Sequence, residues 1–295
     1  MGVVVCKLPK AGLGNQLFPL MKAHVFAHLN NLPLIVVGYH QLKIGPYLRR
    51  EKSKRRYRNY FIFQKNLFIE FKDKLKIRTL PKASFQNEPV LEKKADIGQN
   101  DFLFCTIPHW SNYFDELNEY RALVKKILLD ILSPAIKKYE EKLTTPIIGV
   151  HMRMGDFRKL LPGEDFSKAG ATRTPENYFL QTIEDIRKIN GTELPVIVFS
   201  DGEKQELMNI LSMPGVSLSE GNPDIVDLLL LSRSKIIIAS ASSTFSYWAG
   251  FLSDAPIILH PEHISCKIRL PQSENLYEGP LNVHDEKLYN YIKAL

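Results

Sequence analysis

Side chains suited to binding an anionic ligand follow four short apolar runs of this chain. The first run leads to the small residues of 12–16 and the second to a histidine, an arginine and an aspartate within 151–156. The third leads to Asp201, and the fourth to a serine-rich stretch at 240–246. Apolar runs that alternate with helices are typical of a parallel sheet covered on both faces. Because ligands bind beyond the carboxyl ends of such strands, the pattern predicts one cleft lined by these residues.

The residues at 151–156 favour recognition of a diphosphate. The guanidinium of Arg153 offers a rigid fork of donors that matches phosphate oxygens. His151 lies two residues earlier on an extended segment, so both side chains share one face, and its imidazole can donate to ribose or phosphate oxygens. The structural alternative is that Arg153 pairs with Asp156 and that His151 is a half-buried imidazole with satisfied hydrogen bonds.

The stretch 240–246 has five serine or threonine side chains in seven positions, where a helix is predicted to begin. Its hydroxyls and the free backbone N–H groups of the helix start would form a phosphate site. The alternative is an ordinary N-cap. The glycines at 12 and 14 are a weaker signal: Phe18-Pro19 stands where a dinucleotide loop would have a further glycine, and a tight strand-to-helix turn explains them equally well.

Several catalytic motifs are absent from the sequence. It has no P-loop, no His-Glu-x-x-His, no Gly-x-Ser-x-Gly and no Asp-x-Asp triplet of the kind that holds a metal in many nucleotide-sugar enzymes. The sequence therefore predicts a site without metal, in which arginine and a helix N-terminus neutralise a departing diphosphate.

A length of 295 residues and this strand–helix alternation predict two α/β domains with parallel sheets. Thr144-Thr145-Pro146 marks the boundary, which gives a first domain over 1–145 and a second domain over 146–275. A terminal helix within 276–295 is expected to cross back. Local patterns also predict one helix from Leu123 to Ile136 and a helix opened by Thr174 as its N-cap.

Charge and cysteine content bear on location and partners. Three distant cysteines and no membrane-spanning run predict a cytoplasmic protein. Residues 41–82 carry 14 Lys or Arg against three acids, an excess of 14 − 3 = +11, while the whole chain is +7. Aromatic residues are interleaved with these charges. The segment is therefore a solvated face, a peripheral contact with the inner membrane surface, or, least favoured, a nucleic-acid-binding surface.

Taken in order, these motifs resemble the alpha-1,2-fucosyltransferases, and more distantly the protein O-fucosyltransferases and the nodulation and core fucosyltransferases. Residues 12–16 are similar to the family's Gly-Leu-Gly-Asn-Gln start, and 151–157 to its His-x-Arg-Arg-Gly-Asp-Tyr motif. Residues 199–201 match a Phe-Ser-Asp strand end, and Asp227-Leu228 with 243–248 resembles an Asp-Leu…Ser-Ser-Phe-Ser-Trp-Trp block. The chain is identified as a divergent bacterial-type member, similar to glycosyltransferase family 11.

The resemblance implies two facing Rossmann-like domains of the GT-B type and an inverting, metal-independent transfer of fucose from GDP-fucose. The acceptor would be a sugar hydroxyl of a glycan or lipid-linked glycan; no further cofactor and no nucleic acid is implied. The donor would be held mainly by the second domain and the acceptor would enter from the first. Carried over by residue, Arg153 would bind the β-phosphate and stabilise the leaving GDP, His151 would contact the nucleotide, and Asp227 the guanine or its surroundings. Ser243, Thr244 and Phe245 would contact the pyrophosphate and base, and Gly12, Gly14 and Asn15 would lie near the transferred sugar. Asp201 and Ser242 are also predicted to bind the donor.

The chain also departs from the family pattern. Met154 replaces a second arginine, and Gly202 follows Asp201 where a second acid is usual. Ser242 stands in place of an asparagine, and Tyr247 in place of a tryptophan. These differences leave open a related nucleotide-sugar transferase with another donor sugar.

Inversion needs a base opposite the leaving group. Asp156 is the nearest acid in the predicted cleft, with Glu164 and Asp165 as alternatives on an extended loop that resembles a lid. We therefore predict Arg153 and Asp156 as the catalytic residues.

Overall fold

The computed structural model describes residues 2–41, 44–48, 57–64, 66–81, 85–94, 97, 100–263, 266–270 and 276–295. The chain forms two compact units. The first comprises Met1–Lys43 and Arg55–Glu141, and the second comprises Ile44–Lys54 and Lys142–Leu295.

The elements are short strands and helices in alternation. The strands are β1 (Val4–Lys7), β2 (Leu34–Val37), β3 (Phe85–Asn87), β4 (Asp101–Phe104), β5 (Ile148–Met152), β6 (Val196–Ser200), β7 (Val216–Leu218), β8 (Ile236–Ile238), β9 (Ile257–Ile258) and β10 (Glu278–Gly279). The helices are α1 (Leu13–Asn30), α2 (Gly45–Leu48), α3 (Leu67–Thr79), α4 (Arg121–Ile131), α5 (Pro134–Glu140), α6 (Glu176–Asn190), α7 (Met208–Leu211), α8 (Asp224–Arg233), α9 (Thr244–Leu252) and α10 (Glu286–Lys293).

Each unit contains one parallel sheet, which confirms the predicted α/β class. The first sheet has the order β2-β1-β4-β3 and the second the order β10-β9-β8-β5-β6-β7, with all described pairs parallel. In the second sheet the chain proceeds outward from β5 through β6 to β7 and then returns to the other side of β5 at β8. The strand order therefore reverses between β5 and β8, and in the first sheet between β1 and β4. Ligands bind at such reversals in open α/β sheets.

The core of the second unit explains why its central strands are continuously apolar. All five residues of β5 and all three of β8 are buried, because helices cover both faces of the sheet. Gly149 lets α8 approach closely: a Cβ there would lie 2.2 Å from Ser234 Oγ. Burying each Val or Ile side chain contributes about 1.5–3 kcal/mol.

Two local predictions were wrong. The helix expected from Leu123 to Ile136 is two helices, because Leu132 is extended and Ser133 caps the N-terminus of α5, where Pro134 follows. Thr174 does not cap α6. Pro175 is the N-cap residue, and the Thr174 hydroxyl instead accepts from the backbone N–H of Ala241, 2.9 Å away.

The terminal helix α10 packs within the second unit. Leu288 and Ile292 are part of its apolar core, Asn190 Nδ2 donates to Ile292 O (2.9 Å), and Tyr291 Oη donates to Lys235 O (2.9 Å). These contacts attach the C-terminus to α6 and to the start of β8. None of the helices in the described ranges combines the length and apolar character needed to cross a bilayer.

Candidate active site

Arg153 lies just beyond β5, at the strand-order reversal of the second sheet. Its guanidinium contacts two carboxylates: Nη1 is 2.5 Å from Asp201 Oδ2, and Nη2 is 2.5 Å from Asp156 Oδ1. The Arg153–Asp156 pair of the structural alternative is therefore present. The two bonds use two of five guanidinium N–H donors, so three remain for a ligand.

Asp201 positions both the arginine and the loop that follows it. Its second oxygen, Oδ1, accepts from the backbone N–H groups of Met154 (2.8 Å) and Gly155 (3.1 Å). The Asp156 side chain is 33% exposed against 17% for Asp201. Asp201 is therefore the fixed partner of Arg153, and Asp156 is the more accessible one.

His151 is buried beneath this arginine. Its Nδ1 lies 2.7 Å from Ser246 Oγ, and its ring stacks on Phe245 at 4.7 Å between centroids. Desolvation lowers the pKa of His151 to about 3; Asp201 opposes that shift and Arg153 adds to it. The imidazole is thus neutral at physiological pH and cannot supply a second positive charge at the site.

Two serines of the 240–246 stretch join β5 to the loop after β8. Ser240 Oγ donates to His151 O and accepts from Arg153 N, both at 2.8 Å. Ser246 Oγ accepts from Ser240 N at 3.2 Å. These hydroxyls position the backbone of β5 rather than face a ligand.

The remaining hydroxyls of the stretch surround the start of α9. Ser242 has a left-handed backbone (φ 56°), and its N–H donates to Tyr247 Oη at 2.9 Å. Ser243 is the N-cap residue of α9 but makes no capping side-chain bond. The N-terminus of α9 therefore keeps hydrogen-bonding capacity, and it follows directly on the loop in which Ser240 accepts from Arg153 N. Such a helix start suits an anion.

The other predicted donor-site residue of this unit lies apart from Arg153. Asp227 is in the first turn of α8, where its Oδ1 accepts from Ser219 Oγ (2.6 Å) and Asn222 Nδ2 (3.0 Å). Ser219 follows β7, two strands from β5 in the sheet order. Asp227 thus ties down the loop between β7 and α8, and its contact with guanine stays a prediction.

The glycine loop belongs to the first unit, at the start of α1. Gly12 is its N-cap residue, and Leu13 N donates to Tyr57 Oη (2.9 Å). A Cβ at Gly12 would meet only Tyr57 Oη, at 3.9 Å. Asn15 Oδ1 is buried without a hydrogen-bond partner among the described residues. Gly14 is buried in the first turn. Packing against the part of the chain that the structure describes does not require glycine at position 12.

The two alternative bases are paired with other groups. Glu164 contacts Arg158 through both carboxylate oxygens, and the Arg158 bond lowers the pKa of Glu164 to about 2. Asp165 caps the 3-10 turn Phe166–Lys168 and pairs with Lys168 at 3.2 Å. Of the three acids, only Asp156 contacts Arg153.

A family model identifies the chain. The model of glycosyl transferase family 11 matches residues 50–263. The chain belongs to glycosyltransferase family 11. The matched range contains Arg153, Asp201 and the serine stretch, and the predicted enzyme class, a glycosyltransferase, is confirmed.

Solved structures similar to this glycosyltransferase share little sequence with it. They include the fucosyltransferase NodZ from Bradyrhizobium (14% identity, 86% of this chain and 94% of that chain covered, TM-score 0.48). POFUT1 in complex with GDP-fucose is 16% identical (88% and 97% covered, TM-score 0.47). Arabidopsis thaliana FUT1 in complex with GDP is 15% identical (88% and 70% covered, TM-score 0.43). No curated protein sequence matches the chain.

Two departures of this glycosyltransferase from the family motifs are neighbours in space. A Cβ at Gly202 would lie 2.7 Å from Met154 Cγ, and Met154 is part of the buried apolar core. The positions at which the family pattern has a second arginine and a second acid are therefore in contact here, and neither Met154 nor Gly202 carries a charge.

The sequence did not predict the positioning roles of three residues of this glycosyltransferase. Thr174 connects the loop before α6 to Ala241, while Ser240 and Ser246 fix the backbone and ring of His151. Ser240 and Ser246 were visible as part of the serine stretch, but Thr174 gave only a helix-cap signal. Its contact joins residues 67 positions apart and depends on the sheet order. In the described residues no group of three His, Cys, Asp or Glu side chains has the arrangement of a metal site.

Proposed function

We propose that this glycosyltransferase moves fucose from GDP-fucose to a sugar hydroxyl of a glycan or lipid-linked glycan, with inversion and without a metal. The observation that carries the proposal lies at the strand-order reversal of the second sheet. There the backbone N–H of Arg153 donates to Ser240 Oγ, in the loop that leads into α9, and the N-cap residue Ser243 makes no capping side-chain bond. Such a site suits a diphosphate, and membership in family 11 favours a nucleotide-sugar donor.

The reaction breaks the bond between the anomeric carbon of fucose and the β-phosphate oxygen. Negative charge then grows on the departing diphosphate. The remaining N–H donors of Arg153 and the backbone N–H groups at the start of α9 stabilise that charge, and one such group typically supplies several kcal/mol. Neutral His151 holds Phe245 and the α9 terminus in place.

Diphosphate binding competes with the carboxylates already on Arg153. Asp201 stays, because two backbone N–H groups also hold it. Asp156, the more exposed partner, is displaced and becomes free to accept the proton of the attacking hydroxyl. In this proposal the donor itself releases the base.

We assign the acceptor side to the first unit, since among the described residues a Cβ at Gly12, at the start of α1, would meet only Tyr57 Oη at 3.9 Å. The proposed location is the cytoplasm, as expected for an enzyme that uses a cytosolic sugar nucleotide.

The donor is tested by thermal unfolding of the whole enzyme with GDP, GDP-fucose, other GDP-sugars, UDP-sugars and CMP-sugars. Ligand at 100 times its Kd stabilises the folded state by about 2.7 kcal/mol. We expect guanine nucleotides, and no other nucleotides of the set, to raise Tm. When glycan acceptors are added, the enzyme should release GDP rapidly from GDP-fucose and from no other sugar nucleotide. Turnover of a different sugar nucleotide at a higher rate would support the related transferase instead. No shift with any guanine nucleotide would contradict the proposal.

A further inference from the structure

Helix α3 is attached to the first unit through a buried carboxylate. Glu70 is 1% exposed and accepts from the backbone N–H groups of Gly38 (2.7 Å) and His40 (3.0 Å). It also contacts His40 Nδ1 and Lys74 Nζ, each at 2.7 Å. These hydrogen bonds, led by that of Lys74, outweigh the opposing effect of burial and lower the pKa of Glu70. An ionised, multiply bonded carboxylate thus fixes the orientation of the helix.

The opposite side of α3 is apolar and faces solvent. Leu67, Phe68, Phe71 and Leu75 are 65%, 62%, 54% and 42% exposed. Their spacing of i, i+1, i+4 and i+8 places them on one face of an α-helix. A helix on a soluble domain normally turns such a face toward the core. A contiguous exposed apolar face of this kind marks an interaction surface.

Basic side chains accompany this apolar face. Lys72, Lys74, Lys76 and Arg78 all belong to α3, whose two acids are Glu70 and the half-buried Asp73. At 100° per residue, Lys72 falls beside Phe68 and Lys74 beside Leu67, so lysines flank both edges of the apolar arc. Lys72 Nζ is 4.6 Å from the Phe68 ring centroid. On the same count Arg78 falls between Leu67 and Phe71, in the last turn, and Lys76 falls on the far side of the helix. The outward surface is therefore apolar, with positive charge at both edges and in the last turn.

We propose that α3 docks this glycosyltransferase onto an anionic lipid surface, lying flat with its apolar face inserted and its lysines and arginine among the headgroups. Thirteen residues with four cations are too short and too polar to cross a bilayer, whereas this charge pattern complements anionic headgroups. A symmetric dimer through the same face would bring like charges together. Helix α3 lies within the predicted basic segment 41–82. Of that segment, residues 42–43, 49–56, 65 and 82 lie outside the described residues.

Vesicle sedimentation of the unliganded full-length enzyme tests the proposal, using phosphatidylcholine alone and phosphatidylcholine with 30% phosphatidylglycerol at about 0.1 M salt. Binding is expected only to the anionic vesicles and to weaken in 0.5 M salt. Phe68→Ser with Phe71→Ser should lower the partition coefficient by about tenfold or more. Lys72→Glu with Arg78→Glu should lower it by about fivefold or more per residue.

Matched controls come from α4 of the same unit, where Lys126 and Leu129 are exposed. Lys126→Glu with Leu129→Ser should leave vesicle binding unchanged, and all variants should keep the wild-type Tm and nucleotide-induced stabilisation. The inference would be overturned if the α3 variants bound anionic vesicles as well as the wild type does, or if the wild type bound neutral vesicles equally well. A Phe68-dependent dimer or nucleic-acid complex in place of vesicle binding would also overturn it. Each of those results would leave the donor proposal intact.

Discussion

The two sheets reverse strand order in the same way, but they present different chemistry at the reversal. Beyond β5 in the second unit, Arg153 is partly accessible, and its backbone N–H donates to the loop that leads into α9, a helix without a side-chain cap. In the first unit, two charged groups near the reversal, Glu88 and Lys22, are committed to the scaffold. Glu88 Oε1 accepts from Cys105 N and Thr106 N, which follow β4, both at 2.7 Å, while Lys22 is buried against Glu88 and Glu116.

The first unit instead offers backbone without a side chain at Gly12, at the start of α1. Among the described residues, a Cβ at Gly12 would meet only Tyr57 Oη, at 3.9 Å. The difference shows that topology supplies a place for a ligand, whereas accessible charge decides which ligand binds there. We therefore expect the second unit to bind the nucleotide diphosphate and the first to contact uncharged sugar.

The largest effect is expected at Arg153. Arg153→Ala should lower kcat by about 100-fold or more and weaken GDP binding, because it removes a cation from the departing diphosphate. Arg153→Lys should fail almost as badly if the phosphate contact is bidentate. Turnover and calorimetric GDP affinity measure both effects. Arg158→Ala is the matched control, since Arg158 also pairs with a carboxylate but lies on the exposed loop. Near-normal activity of either Arg153 variant with retained folding would refute the assignment.

Asp156 separates the binding of the donor from proton removal. Asp156→Asn should lower kcat by about 100-fold, the usual range for a lost general base. GDP affinity should be unchanged or higher, because a competing charge beside Arg153 is removed. Glu164→Gln and Asp165→Asn are the comparison variants. If one of them loses turnover while Asp156→Asn retains it, the base is on the loop instead.

Gly12 tests the role of the first unit and should give the smallest of the three effects. Gly12 has an ordinary φ (−63°), and a Cβ there would fit among the described residues. Gly12→Ala should therefore leave Tm and GDP affinity unchanged. Turnover should fall by roughly tenfold if the methyl group obstructs the sugar, about 1.4 kcal/mol of transition-state stabilisation. Gly170→Ala, also without close neighbours, should have no effect. Loss of GDP binding in Gly12→Ala would move nucleotide recognition to the first unit.

Much of the second unit was predictable because its elements are defined by local patterns. The continuous apolar runs of β5, β6 and β8 and the acidic first turn of α8 are short-range signals, and each coincides with the observed element. The elements of 40–100 were not predicted. Helix α3 exposes its apolar residues, and β3 is partly exposed, so neither shows the burial pattern on which such predictions depend.

The amino-acid sequence alone determined the parallel α/β class, the positions where chemistry follows the strands, and the resemblance to a fucosyltransferase family. These features are encoded by residues close together in the chain. Only the tertiary structure decided that Asp201 holds Arg153, that Thr174 reaches Ala241, and that Glu70 turns the apolar face of α3 outward. Each of these contacts joins residues 30 or more positions apart, so strand order and helix packing, rather than local propensity, determine it.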